Sequence, residues 1–186
     1  MPAAGDIGHP VPSPSAEGNA IEVAPGILWL RLPLPMALDH VNIYALDDGA
    51  GWTIIDTGMD SRRSRTIWQG LLAGPLAAKP VTRAIVTHHH PDHVGLAGWF
   101  QSNGASLLMT RTAWLLARML VLDEQALPTA EQIAFWRAAG MAADQLAAKS
   151  QERPFNFADC VAATPIVYTR IAEGDVLTIA GRRWQV

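Results

Sequence analysis

The sequence predicts an α/β fold, and three observations carry that prediction. Before residue 60, apolar runs of strand length alternate with turn-forming residues. Beyond residue 60, candidate helices and short buried strands alternate, as in a layered α/β core. The stretch from Arg111 to Ser150 changes to apolar residues near helical spacing and reads as a helical block set into that core.

The elements follow in order. Residues 1–20 are rich in Pro, Gly, Ser and Ala and are expected to be a flexible tail, with the ordered domain spanning 21–186. Gly26–Leu32 reads as a strand ended by Pro33 and Pro35, and Val41–Leu46 as a second. Asp47–Gly51 is turn chemistry, leading into a third strand, Trp52–Asp56, so that the three make an antiparallel meander. Asp60 and Ser61 can cap a helix over Arg62–Leu72. Ala84–Thr87 is a short buried strand, Gly95–Ser102 a helix and Ser106–Met109 another strand. In the block about 111–150, Trp114, Leu115, Met119 and Leu122 mark one helix. Ile133, Phe135 and Trp136 mark a second after Pro128-Thr129, and Ala142–Lys149 is a third. Gln151–Pro165 is irregular, and Val176–Ala180 and Arg183–Val186 form two strands that turn at Gly181.

Composition narrows the function. The chain has 186 residues, which fits one domain or part of a larger one. At 49 % hydrophobic and 17 % charged residues it can bury a core and is neither disordered nor a disulfide scaffold. Lys and Arg number 14 against 17 Asp and Glu, a net charge of −3 that gives no reason to expect nucleic acid as a partner. The single cysteine, Cys160, allows no intrachain disulfide. Neither a signal peptide nor an apolar run of about 20 residues is evident. The expectation is a cytoplasmic protein acting on a small molecule, away from membranes. No G-x-G-x-x-G, P-loop or G-x-S-x-G is present to support nucleotide or serine-hydrolase chemistry.

The informative segment follows the Ala84–Thr87 strand. His88, His89, His90, Asp92 and His93 place five potential ligands within six residues. In an extended turn, His88 and His90 leave the chain on the same side and can clamp one metal. Pro91 stiffens the bend, after which Asp92 and His93 can face a second. Imidazole with carboxylate suits Zn²⁺ best, with Fe or Mn as alternatives.

Thr87-His88-His89-His90-Pro91-Asp92-His93 resembles the T-H-x-H-x-D-H signature of the metallo-β-lactamase superfamily, and Asp56-Thr57-Gly58 upstream is similar to a second element of that family. The helical block is similar to insertions in its glyoxalase II-like hydrolase branch. The resemblance implies an αββα sandwich with two zinc ions at one edge. His88 and His90 would bind the first ion, and Asp92 and His93 the second. His89 falls on the variable position. Asp92 would also handle protons, and Asp56 would stand behind the ligands and orient a histidine or the metal loop.

The implied function is a metal-dependent hydrolase in which a metal-bound hydroxide attacks an ester, thioester or lactam-type bond. Two alternatives are a metal-binding module without turnover and a di-iron oxidoreductase on the same fold. Family members take further ligands from later in the chain, and no histidine follows His93 here. The chain is therefore expected to be the first half of the fold plus the start of the second, truncated at the C-terminus, with weak metal binding and possible inactivity on its own. Outside the cluster, His40 is expected on the surface, Trp99 and Phe100 in the core, and Trp114, Phe135 and Trp136 in helix-to-helix packing. Arg62, Arg63 and Arg65 are expected on a solvated face, and Cys160 in no catalytic role.

Overall fold

The computed structural model describes Val11, Pro14 and residues 16–186. The tail expected over 1–20 falls mostly outside the described residues. Of its described part, Glu17 pairs with Arg63 and Ala20 opens the first strand.

Seven strands make one sheet in chain order: β1 (Ala20–Ala24), β2 (Ile27–Pro33), β3 (His40–Asp47), β4 (Trp52–Ile55), β5 (Val81–Val86), β6 (Ser106–Thr110) and β7 (Thr169–Ile171). Pairing is antiparallel from β1 to β4 and parallel from β4 to β7. The alternation of β3 shows why the sheet has two faces. Val41, Ile43 and Ala45 are buried, while Asn42 and Tyr44 between them are exposed.

One face packs on α1 (Arg62–Ala73) and α3 (Ala97–Ser102). Leu30, Leu32, Ile43, Ile54, Val86 and Met109 meet Trp68, Leu71 and Phe100 there, and the Trp68 and Phe100 rings sit edge to face at 4.7 Å. On the other face, Leu46, Ile85, Leu108 and Ile171 pack against Ile179 of a two-stranded sheet, β8 (Val176–Ile179) and β9 (Arg182–Gln185). The layers therefore run helix, large sheet, small sheet. Ala180 and Gly181 both have positive φ, as a tight hairpin turn requires. Asp48 holds this hairpin by accepting from the Ala180 amide at 2.8 Å, and it is itself ion-paired to Arg83, which donates to the Thr178 carbonyl at 3.1 Å.

Between β5 and β6 the helix expected over 95–102 begins two residues later, as α3. A short α2 (Pro91–Val94) precedes α3, and the chain breaks helical register at Gly95-Leu96. The Leu96 amide leaves the helix to donate to Thr57 Oγ1 (3.0 Å) and to the Gly58 carbonyl (3.1 Å). Strands β1 and β7 are additions to the sequence reading. Ser61 caps α1 as expected, accepting from the Ser64 amide, whereas Asp60 forms a two-pronged pair with Arg65.

The block 111–150 contains α4 (Arg111–Leu122), α5 (Ala130–Ala138) and α6 (Ala143–Lys149). Thr129 closes a capping box with Gln132 at the start of α5. The expected helix-to-helix packing holds only in part. Trp114 stacks on Tyr168 instead, and Phe135 is exposed on an α5 that has no buried residue.

Candidate metal centre

Both sequence elements singled out above leave the same edge of the sheet. Asp56 follows the end of β4, and Thr87 follows the end of its parallel neighbour β5. The space beyond the carboxyl ends of parallel strands is where open α/β sheets place their ligands.

The D-T-G turn is locked by its own conformation. Asp56 has φ +63°, in the left-handed region that few residues other than glycine adopt, and its side chain is only 7 % exposed. Gly58 follows at φ +81°. Thr57, fully buried, donates its hydroxyl and its amide to the His93 carbonyl, at 2.8 and 2.9 Å. A Cβ on Gly95 would lie 2.4–2.6 Å from the Pro91 and Gly58 carbonyl oxygens and the Asp60 nitrogen, so only glycine lets these two backbones meet.

The Asp56 carboxylate organises the loop. Oδ1 accepts from the Thr87 amide at 2.8 Å, the Thr87 hydroxyl reaches both oxygens, at 3.0 and 2.9 Å, and His93 Nδ1 donates to Oδ2 at 2.8 Å. With its one proton on Asp56, the Thr87 oxygen is left to accept from His88 Nδ1, 3.0 Å away. His88 Nε2 is then bare and lies 3.1 Å from His90 Nδ1. The Asp56 side chain therefore fixes His93 directly and His88 through Thr87.

Within the loop the side chains lie in two close pairs. His88 and His90 meet as described, and His93 Nε2 lies 3.2 Å from Asp92 Oδ2. The rings of His88 and His93 are 4.0 Å apart, joining the two pairs. Among the described residues, no three His, Cys, Asp or Glu side chains surround a common point. His89 points elsewhere and stacks on Phe157 with ring centroids 6.5 Å apart and planes 12° apart.

Electrostatics separate the histidines. Burial, then the neighbouring His93 and His90, hold His88 below the ordinary histidine range, so it is neutral near pH 7. Burial pulls His93 down as well, but the hydrogen bond and charge of Asp56 and the carboxylate of Asp92 outweigh it and raise the pKa. Both ring nitrogens of His93 thus face carboxylate oxygens, an arrangement that holds together only with a cation at Nε2. That cation is a proton or a metal ion. Two imidazoles, a third imidazole and a carboxylate within one loop also form a donor set that suits Zn²⁺.

Sequence reasoning missed Thr57 and underused Thr87. The signal for Thr87 was its place directly before His88. The other candidates are not part of this cluster. His40 pairs with the exposed Asp39, and Arg63 and Arg65 are tied to Glu17 and Asp60. Cys160 is buried, which pushes its thiol up to about 11.

Residues 36–107 match the family model described as the metallo-beta-lactamase superfamily. A probable metallo-hydrolase, YqjP of Bacillus subtilis (strain 168), is 32 % identical over 75 residues, covering 40 % of this chain and 23 % of that protein. A beta-lactamase domain protein from Burkholderia ambifaria is 34 % identical, with a TM-score of 0.76 over 94 % of this chain and 50 % of its own. A metallo-beta-lactamase family protein from Thermus thermophilus is 26 % identical, with a TM-score of 0.65 over 88 % of this chain and 52 % of its own. The chain thus spans about half the length of these two structures. Among the described residues, no helix is long and apolar enough to cross a membrane. The matched segment holds both the D-T-G turn and the histidine loop, and the chain has an α/β fold like that of metallo-β-lactamase family structures, of which it covers about half.

Proposed function

We propose that the chain carries the metal-binding half of a metal-dependent hydrolase acting on an ester, thioester or lactam-type bond, in the manner of the glyoxalase II-like branch. The observation that carries this reading is the Asp56–His93–Asp92 row. A carboxylate on each side of one imidazole leaves Nε2 facing negative charge, and His88 and His90 stand directly beside it. His88 and His90 would hold one ion, and Asp92 and His93 a second. Bound Zn²⁺ would supply Lewis acidity, polarising a carbonyl and making water nucleophilic near neutral pH.

The chain's own residues have separate tasks. Asp56 keeps His93 in the tautomer that presents Nε2, as carboxylates behind metal-binding histidines do. Thr87 does the same for His88. Asp92, a partly exposed carboxylate at the start of α2, would accept a proton from water and deliver it to the leaving group. The reading is tested by loading the protein with zinc and following hydrolysis of an aryl ester and an acyl thioester. Turnover that disappears in His90→Ala supports it. Tight zinc without turnover favours a binding module instead, a second reading motivated by the two donors this chain offers each ion. Iron retained in place of zinc, with redox turnover, favours the oxidoreductase.

A further inference from the structure

The metal loop carries one side chain that the proposed chemistry does not use. His89 turns away from its neighbours and stacks on Phe157, whose ring lies 5.9 Å from Phe155 in an edge-to-face pair. The three rings form a continuous shelf leading from the histidine loop toward α4. Its outer member, Phe155, is 66 % exposed.

The irregular segment that carries this exposed phenylalanine is tied down on both sides of it. Asn156, between the two phenylalanines, is buried. Its side chain donates to the Gln125 and Pro154 carbonyls, at 2.9 and 3.1 Å, and accepts from the Gln125 amide at 2.7 Å. Arg153 straps the segment from outside, reaching both oxygens of Asp159 (2.6 and 3.0 Å) and one of Glu124 (2.9 Å). The same segment is tied to the frame around the metal loop, with the Ala162 amide donating to the carbonyl of Gly95, just past α2, at 2.7 Å and the amide of Asp60, just past the D-T-G turn, donating to the Cys160 carbonyl at 2.8 Å. Beside Phe155 a cavity of about 180 Å³ opens between α4 and this segment, with Leu120, Pro154, Phe155 and Phe157 as its apolar wall and Asp123, Gln125, Gln132 and Asn156 as its polar rim. A cavity of roughly 150 Å³ accommodates a benzene ring.

We propose that the His89–Phe157–Phe155 shelf and the cavity beside it bind the apolar part of the substrate, an aryl or short acyl group, and so set specificity. This inference rests on the hydrolase reading for the word substrate, but the binding it claims does not need the metal. Ring stacking and burial supply the affinity, and the rigid Asn156 clamp keeps the ordering cost low.

The test separates the two claims. The metal-free protein is titrated calorimetrically with 4-phenylbutyramide, a neutral probe that carries the apolar group, and with acetamide. The shelf predicts binding of the first at least tenfold tighter than the second. Phe155→Ala should lower the affinity for phenylbutyramide about tenfold and leave the thermal midpoint unchanged, since the ring is exposed. Phe155→Tyr should restore it. In the zinc-loaded protein, Phe155→Ala should raise KM for a phenylbutyryl ester and leave acetyl ester turnover as it was. Equal binding of both amides, or phenylbutyramide affinity unaltered in Phe155→Ala, overturns the shelf. Binding that behaves as predicted in a protein with no esterase or thioesterase turnover keeps the shelf as a ligand site and removes the hydrolase reading alone.

Discussion

Asp48 and Asp56 stand at opposite ends of β4, and each is a largely shielded carboxylate that gathers donors from distant parts of the chain. At Asp48 the partners are the Arg83 guanidinium, the Thr53 hydroxyl and the Ala180 amide. The charge is answered within the fold, and the result is a clip holding the β8–β9 hairpin on the sheet. At Asp56 the partners are Thr87 and His93. An imidazole answers charge only when protonated, and it has a second nitrogen to offer. The same residue type at two ends of one strand thus closes one edge and leaves the other as a set of oriented donors. A guanidinium keeps its proton at any relevant pH, whereas an imidazole exchanges its proton for a metal.

The sharpest way to break the comparison is to disturb the frame at the Asp56 end alone. Gly95→Ala places a methyl group against three backbone atoms that cannot move aside, and should cost about 3 kcal/mol or more in urea unfolding. Little loss would mean that the two backbones are not in close contact.

Next comes the exchange of each carboxylate for its amide. Asp56→Asn should destabilise by about 2 kcal/mol and lower zinc affinity about 10–100-fold, because the amide no longer demands the Nδ1–H tautomer of His93. Asp48→Asn should cost about 1–2 kcal/mol and leave zinc affinity untouched. Equal effects on zinc would erase the distinction between the two ends.

A pH series sharpens it further. Burial pushes the Asp48 carboxyl up, but the Ala180 amide and Arg83 outweigh this and hold it below its ordinary value. A depressed pKa stabilises the fold above the unfolded value, about 3.9, and the stabilisation is lost as pH falls through the folded value. The stability gap between wild type and Asp48→Asn should therefore be constant from about pH 5 upward and should narrow below about pH 4. A gap that persists undiminished at low pH would show that the Asp48 contacts are not ionic. The smallest effect concerns Cys160. With its thiol pushed up to about 11 and buried, it should react with a disulfide reagent at about pH 8 far more slowly than it does in urea.

The regions differ too in how far the sequence disclosed them. The meander, the α1 cap and the hairpin turn are local, so alternation, Ser61 and Gly181 were enough to place them. β1 pairs as an edge strand whose Glu22 and Val23 are exposed, and β7 is three residues long with two exposed, so neither has an alternating pattern to read. The break at Gly95-Leu96 comes from hydrogen bonds to Thr57 and Gly58, nearly forty residues upstream, which no local propensity encodes. α5 has helical spacing and a capping box, but spacing alone does not say whether a partner face exists. At the site, the histidines and Asp92 were legible because they share one loop. The role of Asp56 was legible only from its resemblance. The work of Thr57 and Thr87 was hidden, since their bonds span 31 to 39 residues.

The central claim is that Asp56 and Thr87 turn the ring nitrogens of His93 and His88 toward one bound cation cluster. X-ray absorption at the zinc edge of the zinc-loaded protein tests it most directly. Imidazole scattering in a shell of nitrogen and oxygen ligands, lost in a His88→Ala/His93→Ala double variant, is the result this account predicts. Zinc retained with an unchanged spectrum in the double variant would contradict it.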